Sequence, residues 1–187
     1  MKLKDLKDFK PERFAKIETN TWKAYYRHNF FTLTILLLQL AREQFHVSYF
    51  HALRISYPFA SATIYFRKNR GKENKDIILE KLTEFYKSIN AIVVEKFDYK
   101  KTAELELEWW FVDRYPEKYK VSRREALRNS MASMYNVHPQ GLTEYAEYRA
   151  KAMELQDEAE KENNEANWGD VYSLLLISYE SLYKAIH

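Results

Sequence analysis

The sequence predicts an all-α fold: a single-domain bundle of about seven helices around a buried central helix at about residues 20–44. Three observations carry that expectation. Glycine occurs 3 times and proline 4 times among 187 residues, whereas the turns of an all-β chain consume both. Apolar residues recur at helical spacing along most of the chain. Only Glu104 to Glu108 alternates with period two over a strand length. There Ala103, Leu107, Trp110 and Arg114 also form a helical stripe, and the helix reading prevails. With 46% hydrophobic and 30% charged residues, the composition is that of a folded domain and not of a disordered chain.

The elements follow in order. Residues 1–10 are rich in Lys and Asp and are expected to be loosely held, leaving 11–187 as the helical domain. Pro11 suits the first turn of a short helix. The long helix at 20–44 contains the most apolar run, Phe30 to Leu40, broken only by Thr32, Thr34 and Gln39. A run apolar nearly all round belongs in a core. It is too short for a bilayer span of about 20 residues. His46 to Ser48 reads as a turn, with Ser48 capping a second helix that reaches about Phe66 and carries Pro58 inside it, where a kink or break is expected.

Asp76 is placed as the cap of a third helix, about 77–97, with Ile78, Leu82, Phe85, Ile89 and Val93 on one face. Asp98 caps a fourth, which Pro116 stops. Ser122 and Glu125 make a capping box for a fifth, ending near Tyr135. A sixth runs from Pro139 to about Lys161, a loop covers Asn163 to Glu165, and a last helix runs from about Asn167 to Ile186. The joint Ala41-x-x-x-Phe45-x-Val47-Ser48 resembles Met131-x-x-x-Tyr135-x-Val137-His138, as two similarly built hairpins would.

Composition also bounds function. There is no cysteine, which removes disulfides, thiolate metal sites and a cysteine nucleophile. The first residues are charged with no apolar signal core behind them, so the expected home is the cytoplasm. A net charge of +3 from 30 basic and 27 acidic residues is too balanced to point to nucleic acid or a membrane. Met131 to Arg149 has the outline of a helix-turn-helix reader. Its second helix carries Glu144, Glu147, Glu154, Asp157 and Glu158, which repel phosphates. Three glycines cannot build a phosphate-cradling loop.

Two constellations remain. Glu43-x-x-His46 has the spacing of a carboxylate-bundle metal motif, and Glu18 and Glu106 could supply further carboxylates for a metal-dependent oxidase. No second Glu-x-x-His exists, so the expectation is no metal. The fourth helix places Glu106, Trp110 and Asp113 on one stripe, while Arg54 and Arg149 interrupt apolar stripes elsewhere. Buried charges need partners. If Arg54, Tyr57, Glu106, Trp110, Asp113 and Arg149 meet, they form an interior pocket able to hold a small anionic ligand. If they pair off, they are structural. No cofactor is identified. The leading expectation is a non-catalytic module that binds a protein partner or its own copy, because 15 Tyr, 11 Phe and 4 Trp exceed what one core absorbs.

Overall fold

The computed structural model describes residues 3–162, 164, 165 and 167–187. Asn163 of the expected loop and the first two residues of the N-terminal segment lie outside the described residues. The fold is all-α: α1 (Pro11–Tyr26), α2 (Phe30–Phe45), α3 (Tyr49–Lys68), α4 (Lys75–Ile92), α5 (Tyr99–Arg114), α6 (Arg123–Tyr135), α7 (Thr143–Lys161) and α8 (Trp168–Ile186). Short 3-10 turns at Pro116–Lys118 and Pro139–Leu142 precede α6 and α7. Each helix packs chiefly on its neighbours in sequence, and α8 returns onto α1.

Many helix starts follow from side-chain caps. Ser48, Asp98, Ser122 and Asn167 each accept a backbone N–H of the first turn. For α4 the cap is Asn74, whose Oδ1 accepts the Asp76 N–H at 2.9 Å, and not Asp76 itself. Asp76 lies in the first turn and complements the positive end of the dipole. α4 stops at Ile92, short of the expected 97, because Val93 turns extended and is drawn into a parallel bridge with Lys4.

The described part of the N-terminal segment takes part in that bridge. Lys4 N–H donates to the Ile92 carbonyl and the Val94 N–H donates to Lys4, both at 2.8 Å. Leu6 and Phe9 are buried, and the Phe9 ring packs on Phe14, Tyr179 and Tyr183.

The larger correction concerns the expected central helix. Residues 20–44 are not one helix. His28 takes a left-handed conformation at φ 55°, and Asn29 then caps α2 by accepting the Thr32 N–H. Nor is the apolar half buried. No residue from Phe31 to Leu40 is buried, and Phe31 is 79% exposed. The core is shared among the other helices, with Phe14 of α1, Ala62 of α3, Ile78, Leu82 and Ile89 of α4, Leu107 and Phe111 of α5, Leu127 of α6, Tyr145 and Ala150 of α7 and Leu175 and Leu182 of α8. Among the described residues α2 packs substantially on α1 and α3 alone.

α3 runs through Pro58 without a break. Proline removes only the bond to the Arg54 carbonyl, a cost the packed helix tolerates. The two echoing joints adopt matching backbones. His46 and Asn136 are both left-handed C-caps, at φ 47°, ψ 43° and φ 51°, ψ 42°. Ser48 and His138 are both extended.

Candidate functional site

Helix α1 turns Phe14, Ala15 and Glu18 toward the interior, so Glu18 is buried among apolar neighbours. α7 brings Tyr145 and Arg149, and α8 brings Tyr179, to the same place. Arg149 holds Glu18 with both arms: Nη1 donates to Oε2 at 2.9 Å and Nη2 to Oε1 at 2.5 Å. The Tyr179 hydroxyl donates to Oε2. Burial alone would raise the Glu18 carboxyl. The Arg149 charge and hydrogen bonds, with Tyr179 and Trp22, outweigh it and hold the pKa below its ordinary value. The same carboxylate, added to burial, keeps Tyr179 well above the usual phenol range. Burial pushes Tyr145 to about 12, and its hydroxyl is fully enclosed with no hydrogen-bond partner.

A second polar cluster joins α5 and α6. Glu106 accepts the Trp110 indole N–H at 2.9 Å and the Ser130 hydroxyl at 2.8 Å. Tyr86 of α4 is buried beside it, and burial with the nearby carboxylate raises that phenol strongly. A third ties α6 to its neighbours: Arg123 meets Asp113 at 2.8 Å and Asp157 at 2.9 Å. Burial raises Asp113, and Arg123 opposes it without cancelling it.

The six residues expected to line one pocket are therefore dispersed. Glu106 touches Trp110, while Asp113 and Arg149 sit in separate ion pairs. Arg54 and Tyr57 lie exposed on α3. The four residues of the alternative metal set are also apart. Glu18 is bound by Arg149, Glu43 by Arg13 at 3.0 Å, and His46 Nε2 by the Asp8 carbonyl at 2.7 Å, while Glu106 holds Trp110 and Ser130. Among the described residues, no three His, Asp or Glu side chains form a group that could hold a metal. Sequence reasoning singled out Glu18 and Arg149 separately and missed their pairing. The available signal was that both interrupt apolar faces.

Two open grooves lie on the surface of the described residues. A groove of about 450 Å³ between α5 and α6 is lined by Asp98, Lys101, Leu105, Ala132 and Asn136. Another of about 400 Å³ lies between Lys16, Lys23, Trp168 and Tyr172. Neither contains a residue of the expected pocket.

The third arrangement is a surface. Along α3, Phe50 is 72% exposed, Leu53 52%, Tyr57 69% and Ile64 54%. The antiparallel neighbour α2 adds Phe31, Ile35 and Leu37. A full aromatic side chain offers roughly 200 Å², so Phe31, Phe50 and Tyr57 alone leave on the order of 400 Å² of ring surface in water. Around this face no described acid occurs between Glu43 and Glu73. Arg42 closes one end by stacking its guanidinium 3.8 Å from the Tyr49 ring centre.

Comparison with protein-family models, with curated proteins and with solved structures gives no match. Among the described residues no helix is long and apolar enough to cross a membrane.

Proposed function

We propose that this chain is a non-catalytic helical docking module whose working surface is the α2–α3 face, which holds a protein surface of a partner or of its own copy in the cytoplasm. The observation that carries the reading is α2 itself. It is uncharged from Phe31 to Ala41, yet none of Phe31 to Leu40 is buried. A helix apolar on all sides is stable in water only when its sides are covered. Large aromatics projecting from such a face are the side chains that dominate protein interfaces.

The runner-up, an interior ligand or enzyme site, has less support. The strongest interior candidate, Glu18 with Arg149 and Tyr179, already satisfies its own charges. An apolar-surface dye and sedimentation together test the docking reading. The native protein either sediments above its 22.6 kDa monomer mass or, as a monomer, binds the dye. Phe31→Ser, Phe50→Ser and Tyr57→Ser combined remove whichever is seen. A monomer that binds no dye and is indifferent to the triple substitution overturns the reading.

A further inference from the structure

We infer that the occupant of the α3 part of that face is an acidic amphipathic helix of a partner protein. Its apolar side lies on Phe50, Leu53, Tyr57 and Ile64, and its carboxylates meet Arg54 and Lys68; this rests on the docking reading above. The four apolar residues are exposed and fall at steps of 3, 4 and 7. That is the anchor spacing with which one helix meets another. The stripe points away from the protein's own core: Ala52, Ile55, Pro58, Ala62 and Phe66 are the buried residues of α3.

Charge complementarity selects the partner. From Asn29 to Lys72, across α2, α3 and the turn after it, the chain carries six bases and one acid, a net +5. The whole chain carries +3, so the rest of it carries −2. The one acid, Glu43, is held by Arg13 at 3.0 Å, and Glu73, just beyond the segment, is held by Arg114 at the same distance. Arg54 and Lys68 are exposed, and among the described residues neither is in an ion pair. Arg54 lies one turn beyond Phe50 and Lys68 one turn beyond Ile64, so both project on the side of the stripe. They stand 14 residues apart, about 21 Å along the axis, with Tyr57 and Ile64 between them. A helix docking here must bring apolar side chains to the stripe. Acids placed beside them answer the two cations, whereas bases would set like charges together and cost both affinity and on-rate.

Two other occupants fit less well. A second copy of α3 would add its own Arg54 and Lys68 to the seam with no acid to answer them. A lipid surface meets a different difficulty. Interfacial helices keep their lysines and arginines on the polar side, at the level of the headgroups. Lys68 lies about five turns on from Phe50 and in line with it. It therefore stands at the depth of the apolar rings, where a partner helix can place a carboxylate and a bilayer places acyl chains.

The probe is a synthetic amphipathic peptide of about 20 residues, roughly 30 Å when helical, with leucines on one side and glutamates on the rest. Its twin has lysine for every glutamate. Binding of each to the full chain is followed by fluorescence anisotropy. Flotation with anionic vesicles runs in parallel, and the dye and sedimentation measurements above are made on the same protein. The glutamate peptide is expected to bind, and the lysine twin to bind about tenfold more weakly. Arg54→Glu with Lys68→Glu should invert that preference, while Lys87→Glu with Lys184→Glu, the same change of charge at exposed positions of α4 and α8, leaves it as it was. Unchanged circular dichroism in both variants separates lost recognition from lost folding. Equal binding of the two peptides, or a preference that the α3 reversal does not move, overturns the acidic helix. So does a protein that binds dye but neither peptide, one that self-associates and excludes both peptides, or one that floats with anionic vesicles and binds no peptide; each of these leaves a docking face. A monomer that binds neither dye nor peptide overturns both readings.

Discussion

At the scale of single residues, Glu18 and Arg149 are the most consequential pair. Each is a buried or nearly buried charge that the other neutralises, in a bidentate geometry that satisfies most of the donors and acceptors. Removing one partner leaves the other uncompensated, which costs about 3–5 kcal/mol, whereas replacing both with apolar groups of similar volume is far milder. Arg149→Met should therefore destabilise the fold by about that amount in urea unfolding, and Glu18→Met with Arg149→Met should recover most of the loss. Equal losses from single and double variants would show that the pair is not a closed unit. Acid sensitivity follows from the same chemistry. Glu18 is held below its ordinary pKa, and Glu73 is lowered to about 2: burial would raise it, but the Tyr115 hydroxyl, Arg114 and backbone N–H groups prevail. Both contribute stability that is fully present above the unfolded value near 4.5 and is lost as pH falls through the folded one. The urea midpoint should fall between pH 4.5 and about 2, and Glu73→Gln should flatten that limb. A midpoint independent of pH across that range would contradict the assignment.

At the scale of elements, most helices could be read from the sequence because their signals are local. Ser48, Asp98 and Ser122 cap where their side chains can reach a first-turn N–H, and Pro116 ends α5 because the residue before a proline avoids the helical region. Two errors have physical causes. Asn74 and Asp76 are both competent caps two residues apart, and only the fold decides which N–H groups are left over. Asn74→Ala should cost about 1 kcal/mol, and Asp76→Ala only the smaller dipole contribution of about 0.3–1 kcal/mol; thermal melts of the two variants check the order. The break at His28 was hidden because no glycine or proline marks it, and a histidine supplies the positive φ. The pairing of Glu18 with Arg149 joins residues 131 positions apart, and that of Asp113 with Arg123 crosses the connection between α5 and α6, so no pattern within one helix encodes either. The same holds for Arg54: its intrusion on an apolar stripe reads as burial only if that stripe faces the core, and on α3 the stripe faces outward.

At the scale of the whole molecule, the lesson is that apolar content marks what must be covered and not what covers it. The core is shared by α1 and α3 to α8, and in α4 Leu82 and Ile89 are fully enclosed. Leu82→Ala should cost about 2–5 kcal/mol by leaving a cavity. The uncharged stretch of α2, Phe31 to Ala41, has no buried residue before Ala41 and lies beside the projecting stripe of α3, and the docking reading makes its protection depend on what covers it. Hydrogen exchange of the α2 backbone amides, measured at dilute and at concentrated protein, tests this most directly. The account predicts that at dilute protein α2 exchanges far faster than α4 and α8, and that rising concentration slows α2 alone if the occupant is a second copy. Slow exchange in α2 that is the same at every concentration, as for a helix buried within one chain, would contradict it.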